Sequence, residues 1–399
     1  MHELNSYNGS LRGAAKRWVG LSLLAVSIGM THQALASGPA NQTHPFVAQR
    51  TQVAGSVYEI AFDPQNHRLY AATVSNHVVA ADGSAHDTPA GIVVLDADTL
   101  EVVKRIDTGN VSPFGLALNP KTQKLYATDT RSGTVAVFDI ASGERTALIH
   151  APEGQADHVR QPVVDPTTNT IYVSVVGGFA KGDAPVRNST IWVIDGSDDS
   201  LTDVIDNPVK VATGLALDPQ TRRLYVADLA NSQIAELDAD SHEVLRRLPA
   251  APQSQIEKQS TEGIMGGVGT VNVEIDHDRG VLYAVNQKAG GIGVIDLDSG
   301  EVIDDIATGE GALSARLNPH DGNLYVANRG DGSVAVIDGD TRHVSAYLAA
   351  GSHPQTVAID AEDGDVYVSN KAKGRGRHAP DDVPTPFEPD GNTVIRIAP

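Results

Sequence analysis

A short pattern of apolar and polar positions recurs seven times along the chain. In each copy an apolar strand closes on an Asp or Asn, and a Leu-Tyr-Val-type strand follows. The closing residues are Asp63, Asn119, Asp165, Asp218, Asp276, Asn318 and Asp360. Seven positions later come Tyr70, Tyr126, Tyr172, Tyr225, Tyr283, Tyr325 and Tyr367. A third apolar strand ends in an Asp in six copies, and residues 394–397 take its place in the last copy.

Repeats of about 40–50 residues, built from short strands and tight turns, are typical of a β-propeller in which each copy is one four-stranded blade. We therefore predict an all-β, seven-bladed β-propeller. The seventh copy stops after its third strand, and residues 46–53 resemble a fourth strand. We predict that this N-terminal strand completes the last blade, because a shared sheet removes an exposed edge and ties the termini together.

The N-terminus predicts export. Arg12, Lys16 and Arg17 precede an apolar run over residues 18–30, and residues 34–36 form a small-x-small cleavage site. This layout is typical of a secretory signal peptide, and the run is too short for an ordinary membrane span. We predict a signal peptide at 1–36, a propeller at 37–399 with no membrane span, and a periplasmic or secreted location.

The lengths of the connections predict which face of the propeller binds. Insertions fall between the second and third strands of blades 1, 3 and 7, and between blades 4 and 5. In an up-and-down blade these connections all emerge on one face. We name it the insertion-bearing face. Insertions confined to one face of a repeat protein usually mark a binding surface, although tolerated drift of surface loops would give the same pattern.

The blade 7 insertion is the most basic of these segments. Lys371, Lys373, Arg375 and Arg377 alternate with small residues. Such an arm can follow a phosphate backbone and stack guanidinium planes on bases. Acidic residues follow it, so a merely solvated loop is an equally open interpretation. The whole chain has a formal charge of −20, which repels phosphate on average and requires any nucleic-acid site to be a local basic concentration.

The inner strands supply further candidates. Tyr58, Phe114 and Arg160 are predicted at the mouth of the axial channel, where they suit either a polar ligand or a water-filled rim. Glu274 and Arg316 occupy equivalent places in blades 5 and 6, which small apolar residues hold in the other blades. We interpret them as a structural ion pair, because a lone charge between blades is costly. A catalytic acid with an arginine clamp is the alternative.

Metal and cofactor chemistry are not supported by the sequence. The chain has no cysteine and 14 histidines, none in a typical metal-ligating spacing. We therefore predict no metal and no cofactor.

Leu324-Tyr-Val-Ala-Asn and Val366-Tyr-Val-Ser-Asn resemble the Tyr-Val-Thr-Asn (YVTN) β-propeller repeat. Longer stretches, such as Ile191-Trp-Val-Ile-Asp-Gly, are similar to the exported bacterial YncE-type proteins of that family. The resemblance covers nearly the whole mature chain and implies a periplasmic seven-bladed propeller that binds single-stranded DNA. The long insertions of blades 1 and 3 depart from the family pattern.

Two functions follow as hypotheses. The first is a binding or scaffold propeller that contacts single-stranded nucleic acid, an envelope polymer or a protein partner through its insertion-bearing face. The second is an enzyme or enzyme subunit, either a lactonase-like hydrolase or part of a quinoprotein dehydrogenase. The absence of a haem motif and of a clear metal set disfavours the second.

Overall fold

Seven antiparallel four-stranded sheets follow one another along the chain as the blades of a propeller. The computed structural model describes residues 45–53, 55–152, 158–178, 186–259, 265–374 and 383–399. All of them belong to one compact unit, Thr43–Pro399. The first strand of each blade contacts the first strands of both neighbouring blades, which closes the ring around an axial channel. The prediction of an all-β, seven-bladed propeller is confirmed.

The strands are numbered in chain order, and the described chain begins with β1 (Phe46–Gln52). Blades 1 to 3 are built from β2 (Ser56–Asp63), β3 (Arg68–Val74), the inserted hairpin β4 (Asn76–Val79) and β5 (Ala85–Thr88), β6 (Gly91–Asp96), β7 (Val102–Ile106), β8 (Gly115–Asn119), β9 (Lys124–Asp129), β10 (Thr134–Asp139), β11 (Arg145–His150), β12 (His158–Asp165), β13 (Thr170–Val176), β14 (Thr190–Asp195) and β15 (Ser200–Asp206). Blades 4 to 7 comprise β16 (Ala212–Asp218), β17 (Arg223–Asp228), β18 (Gln233–Asp238), β19 (Val244–Pro249), the short helix α1 (Gln253–Ile256), β20 (Thr270–Asp276), β21 (Val281–Asn286), β22 (Gly291–Asp296), β23 (Val302–Ala307), β24 (Ala312–Leu317), β25 (Leu324–Asn328), β26 (Ser333–Ile337), β27 (Val344–Ala349), β28 (His353–Ile359), β29 (Val366–Lys371) and β30 (Thr393–Ala398).

Blade 7 is shared between the two ends of the chain. Its strand order is β28, β29, β30 and then β1 at the outer edge. β1 pairs antiparallel with β30, from Phe46 opposite Ala398 to Gln52 opposite Thr393. The N-terminal strand therefore completes the last blade, as the sequence predicts. The pairing covers an edge that would otherwise expose unpaired backbone groups.

The repeated acid and tyrosine have separate structural roles. Asp63 Oδ1 accepts hydrogen bonds from the backbone N–H groups of Gln65 and Asn66, and so closes the turn after the first strand. The same arrangement recurs at Asp165 and Asp218, because a short acidic side chain can satisfy the N–H groups of its own turn. The repeated tyrosines are buried between neighbouring blades with the branched apolar residues. The hydrophobic core is therefore a ring of blade-to-blade interfaces.

Two of the insertions contact each other. The β4–β5 hairpin of blade 1 lies against the blade 7 insertion, where the Thr385 N–H donates to His77 O at 2.7 Å and the Val79 N–H donates to Thr385 O at 2.9 Å. Insertions from the first and last blades therefore form one surface beside the point where the ring closes. Among the residues that the structure describes, no helix combines the length and apolar character needed to cross a membrane.

Candidate functional site

A β-bulge near the start of the inner strand shapes the channel mouth in six of the blades. The pairing of β2 with β3 shifts register between Val57 and Ile60, which leaves Tyr58 and Glu59 outside the regular ladder. Corresponding shifts occur in β12, β16, β20, β24 and β28. A bulge adds a residue to one strand and re-aims its side chains. Neighbouring residues that would alternate between two faces can therefore both line the channel.

All of these bulges except that of β16 contribute residues to a cavity of about 330 Å³ at the axis, on the insertion-bearing face. We call it the axial cavity. Its lining combines aromatic, cationic, amide and acidic groups: Tyr58, Glu59, Phe114, Gly115, Thr130, His158, Arg160, Gln161, Asn272, Leu313, Arg329, Gln355 and Thr356. A concave site with a few convergent polar groups among apolar surfaces is typical of ligand pockets.

Two aromatic rings and two cations form the rim of the axial cavity. The rings of Tyr58 and Phe114 meet edge to face, with centroids 4.7 Å apart. Lys371 Nζ lies 4.2 Å from the centroid of the Tyr58 ring and donates a hydrogen bond to its hydroxyl. The Arg131 guanidinium lies 5.6 Å from the centroid of Phe114. Each cation is therefore held against a ring face, which is attractive by cation–π interaction.

The positive charge at this face comes from loops of separate blades. Lys371 and Lys373 line a groove that also includes Tyr58 and Arg131. Burial lowers the pKa of the His353 imidazole, and the positive charges of Arg329, Lys373 and Lys371 lower it further. Because these cations act on one imidazole, they create a local positive potential in a chain whose overall charge is −20.

Deeper in the channel, two carboxyl groups and two guanidinium groups interact. Arg316 Nη1 lies 3.1 Å from Glu274 Oε2, and Glu274 Oε1 accepts a hydrogen bond from the Leu317 N–H at 3.0 Å. Burial raises the pKa of Glu274, although Arg316 opposes the shift. Burial also raises the pKa of Glu59 to about 7, against the lowering effects of Arg316 and Arg160. The two arginines and two glutamates thus form one electrostatic group, which spans blades 1, 3, 5 and 6.

The structure brings most of the sequence candidates together. Tyr58, Phe114 and Arg160 line the axial cavity, Lys371 lies over the Tyr58 ring, and Lys373 lines the adjoining groove. Arg375 and Arg377 lie outside the described residues. The acids that follow the basic arm contact other partners: Asp390 pairs with Arg50 at 2.5 Å, and Glu388 accepts the backbone N–H of Lys373 at 3.0 Å. Asp390 is therefore paired with a cation outside the basic arm, whereas Glu388 contacts the backbone of the arm itself.

Sequence reasoning did not single out Arg131 and Arg329. Both lie in the tight turns that follow the second strands of blades 2 and 6, and Lys371 is the last residue of the second strand of blade 7. A basic residue one or two positions after the Asp or Asn that ends this strand was the signal available in the sequence. These turns open onto the channel mouth, so the signal would have located the rim.

A second cluster of ionisable groups lies on the opposite face. His67 Nε2 of blade 1 is 3.1 Å from Asp360 Oδ2 and 3.9 Å from Asp363 Oδ2 of blade 7. The donor atoms of these three side chains lie within 4.8 Å of one another, which is close enough for a shared cation. No short spacing in the sequence could reveal this group, because its members come from opposite ends of the chain. Its ion pairs join the two blades at which the ring closes.

These features define a seven-bladed β-propeller with a cationic, aromatic cavity at one end of its axial channel. The chain is 29% identical to YncE of Escherichia coli (strain K12) over 264 residues, which cover 65% of this chain and 67% of that protein. It is 30% identical to YncE of Salmonella typhi over the same length and the same shares. The chain belongs to the YncE family. No family model matches it.

Proposed function

We propose that this protein is an exported binding propeller that holds single-stranded nucleic acid at its insertion-bearing face. The observation that carries the proposal is the cluster of Arg131, Arg160, Arg329, Lys371 and Lys373 around the Tyr58–Phe114 pair, in a chain of net charge −20. Proteins that bind single strands combine a positive groove for the backbone with aromatic rings on which bases stack. The channel mouth supplies both.

Binding of labelled oligo-dT, followed by fluorescence anisotropy at several salt concentrations, tests this proposal. We expect binding at low salt that weakens as salt rises, with a log–log slope that falls by roughly 0.7 for each phosphate contact removed. Arg131→Gln and Lys371→Gln should each flatten the slope. Lys121→Gln is the matched control, because Lys121 is exposed in a turn on the opposite face.

If the salt-dependence slopes of both rim variants equal that of the wild-type protein, the rim cations do not contact the nucleic acid. If the wild-type protein fails to bind any oligonucleotide at low salt, nucleic acid is excluded. An envelope polymer or a protein partner would then be the ligand class left for this face.

Export is a separate part of the proposal, and it rests on the basic and apolar segments before Ala36. Mass spectrometry of the protein recovered from the periplasm or medium should find a mature chain that begins at Ser37. Recovery of an exported chain that retains Met1 would contradict the cleavage site.

A further inference from the structure

Glu59 is the one acidic residue that lines the axial cavity within the described chain. Its backbone N–H donates to Phe114 O at 3.2 Å, but among the residues that the structure describes its carboxylate has no hydrogen-bond or ion-pair partner. Glu274 in the same channel differs, because Arg316 and the Leu317 N–H occupy its two carboxylate oxygens. An enclosed carboxylate without a partner has hydrogen-bonding capacity that a ligand can use.

The size of the axial cavity limits what can reach Glu59. At about 330 Å³ it lies at the lower end of the range of roughly 300–1,000 Å³ for ligand pockets. It therefore suits one base with its sugar, while the rest of a bound strand lies along the rim. Tyr58 precedes Glu59 in the same bulge, so a base that stacks on the aromatic pair brings its edge toward this carboxylate.

We propose that the axial cavity takes one base of the bound strand and that Glu59 selects guanine. A carboxylate offers two acceptor oxygens, and the Watson–Crick edge of guanine offers two adjacent N–H donors to match them. Thymine offers one N–H between two carbonyl oxygens, which a carboxylate repels. Arg160 donates one hydrogen bond to Val271 O at 3.3 Å, and its guanidinium has further N–H groups that can donate to the guanine carbonyl.

This inference rests on the proposed function and adds a pH dependence to it. Only ionised Glu59 offers both acceptors, and burial raises its pKa to about 7. The charged groups that face it are Arg160 and Arg316, with His158 and Arg329 on the cavity wall. The preference for guanine should therefore be stronger at pH 8 than at pH 6.

The test compares short labelled oligonucleotides that differ at one central base, within an oligo-dT host. The wild-type protein should bind the guanine-containing strand about five-fold or more tightly than oligo-dT, as a good bidentate contact predicts. Hypoxanthine, which lacks the amino group of guanine, should give an intermediate affinity. Glu59→Gln should bind the guanine and thymine strands alike, and its melting temperature should not fall below that of the wild-type protein. Glu101→Gln, exposed on the opposite face, should keep the wild-type preference.

Equal wild-type affinities for the guanine and thymine strands would overturn the assignment of Glu59, and so would a preference retained by Glu59→Gln. Both results leave the proposed function standing, since the strands still bind. Absence of binding by the wild-type protein to any of the strands at low salt would overturn the proposed function and this inference with it.

Discussion

Arg316 on β24 donates from Nη1 to Glu274 Oε2 on β20, at 3.1 Å, and joins the inner strands of blades 5 and 6. The pair is not fully enclosed, since 27% of the Arg316 side chain and 17% of the Glu274 side chain are exposed to the channel. Glu274 also accepts the backbone N–H of Leu317, so its carboxylate links two strands as well as two side chains.

Removing one partner of this pair should destabilise the protein by less than the roughly 3–5 kcal/mol typical of a fully buried pair. Because channel water reaches both groups, we expect Arg316→Ala to lower the free energy of unfolding by about 1–3 kcal/mol. The double variant Glu274→Ala/Arg316→Ala should cost less than the sum of the single variants. Denaturant unfolding of the four proteins measures this coupling. Additive free energies would show that the pair makes no net contribution.

Glu274→Gln separates the two contacts of this carboxylate. The amide keeps an acceptor for the Leu317 N–H but loses the charge that pairs with Arg316. It should therefore be more stable than Glu274→Ala, because the backbone N–H is not left unsatisfied. Equal stabilities of Glu274→Gln and Glu274→Ala would show that the hydrogen bond from the Leu317 N–H does not contribute to stability.

Loss of β1 should open the ring. Deleting residues 1–52 removes the outer strand of blade 7 and exposes the edge of β30. Because each blade is stabilised by its neighbours, the melting temperature should fall well below that of a chain that lacks only residues 1–44. The shorter deletion is the control, since it retains β1. Equal melting temperatures for the two truncated chains would contradict closure through β1.

The aromatic pair should contribute base stacking. Tyr58→Ala and Phe114→Ala should each weaken binding of oligo-dT by about 1–3 kcal/mol, the usual value of one base–aromatic contact. Tyr347→Ala is the matched control, because Tyr347 is 59% exposed on an outer strand away from the cavity. Affinities equal to the control in both variants would show that bases do not stack on this pair.

Glu59 should make stability depend on pH. Its pKa is about 7 in the folded chain against an ordinary value of 4.5, so the folded chain binds more protons between these values. The contribution of Glu59 to the stability of the folded chain is therefore fully present below about pH 4.5, and it is lost as pH rises through about 7. Relative to wild type, Glu59→Gln should gain about 1–3 kcal/mol across that interval. Parallel pH profiles for the two proteins, measured by chemical unfolding, would contradict this assignment.

Much of the fold could be predicted from the sequence because its determinants are local. The Asp63-type turn is closed by N–H groups two and three residues away, and the buried tyrosine follows at a constant distance. Each repeat therefore carries its own turn and its own packing residue. The pairing of residues 46–53 with the last blade was predictable for a similar reason, because an incomplete copy leaves one strand to be supplied.

The candidate site was only partly predictable. Counting strands placed Tyr58, Phe114 and Arg160 at the channel mouth, and equivalent positions in neighbouring repeats suggested the proximity of Glu274 and Arg316. The bulge that takes both Tyr58 and Glu59 out of the regular ladder arises from the pairing of β2 with β3. A sequence pattern that assumes strict alternation of side chains between the two faces of a strand does not reveal it.

The sequence by itself therefore determined the repeat, the number of blades and the face that carries the insertions, because these depend on turns and periodicity within each copy. Only the tertiary structure decided that Arg329 lines the axial cavity while Arg131 and Lys371 line the adjoining groove, and that Glu59 lies within the influence of Arg160 and Arg316. Closing a ring brings residues from distant blades to a common axis. The electrostatic potential at that axis is the sum of charges contributed by several blades, so it cannot be derived from any single repeat.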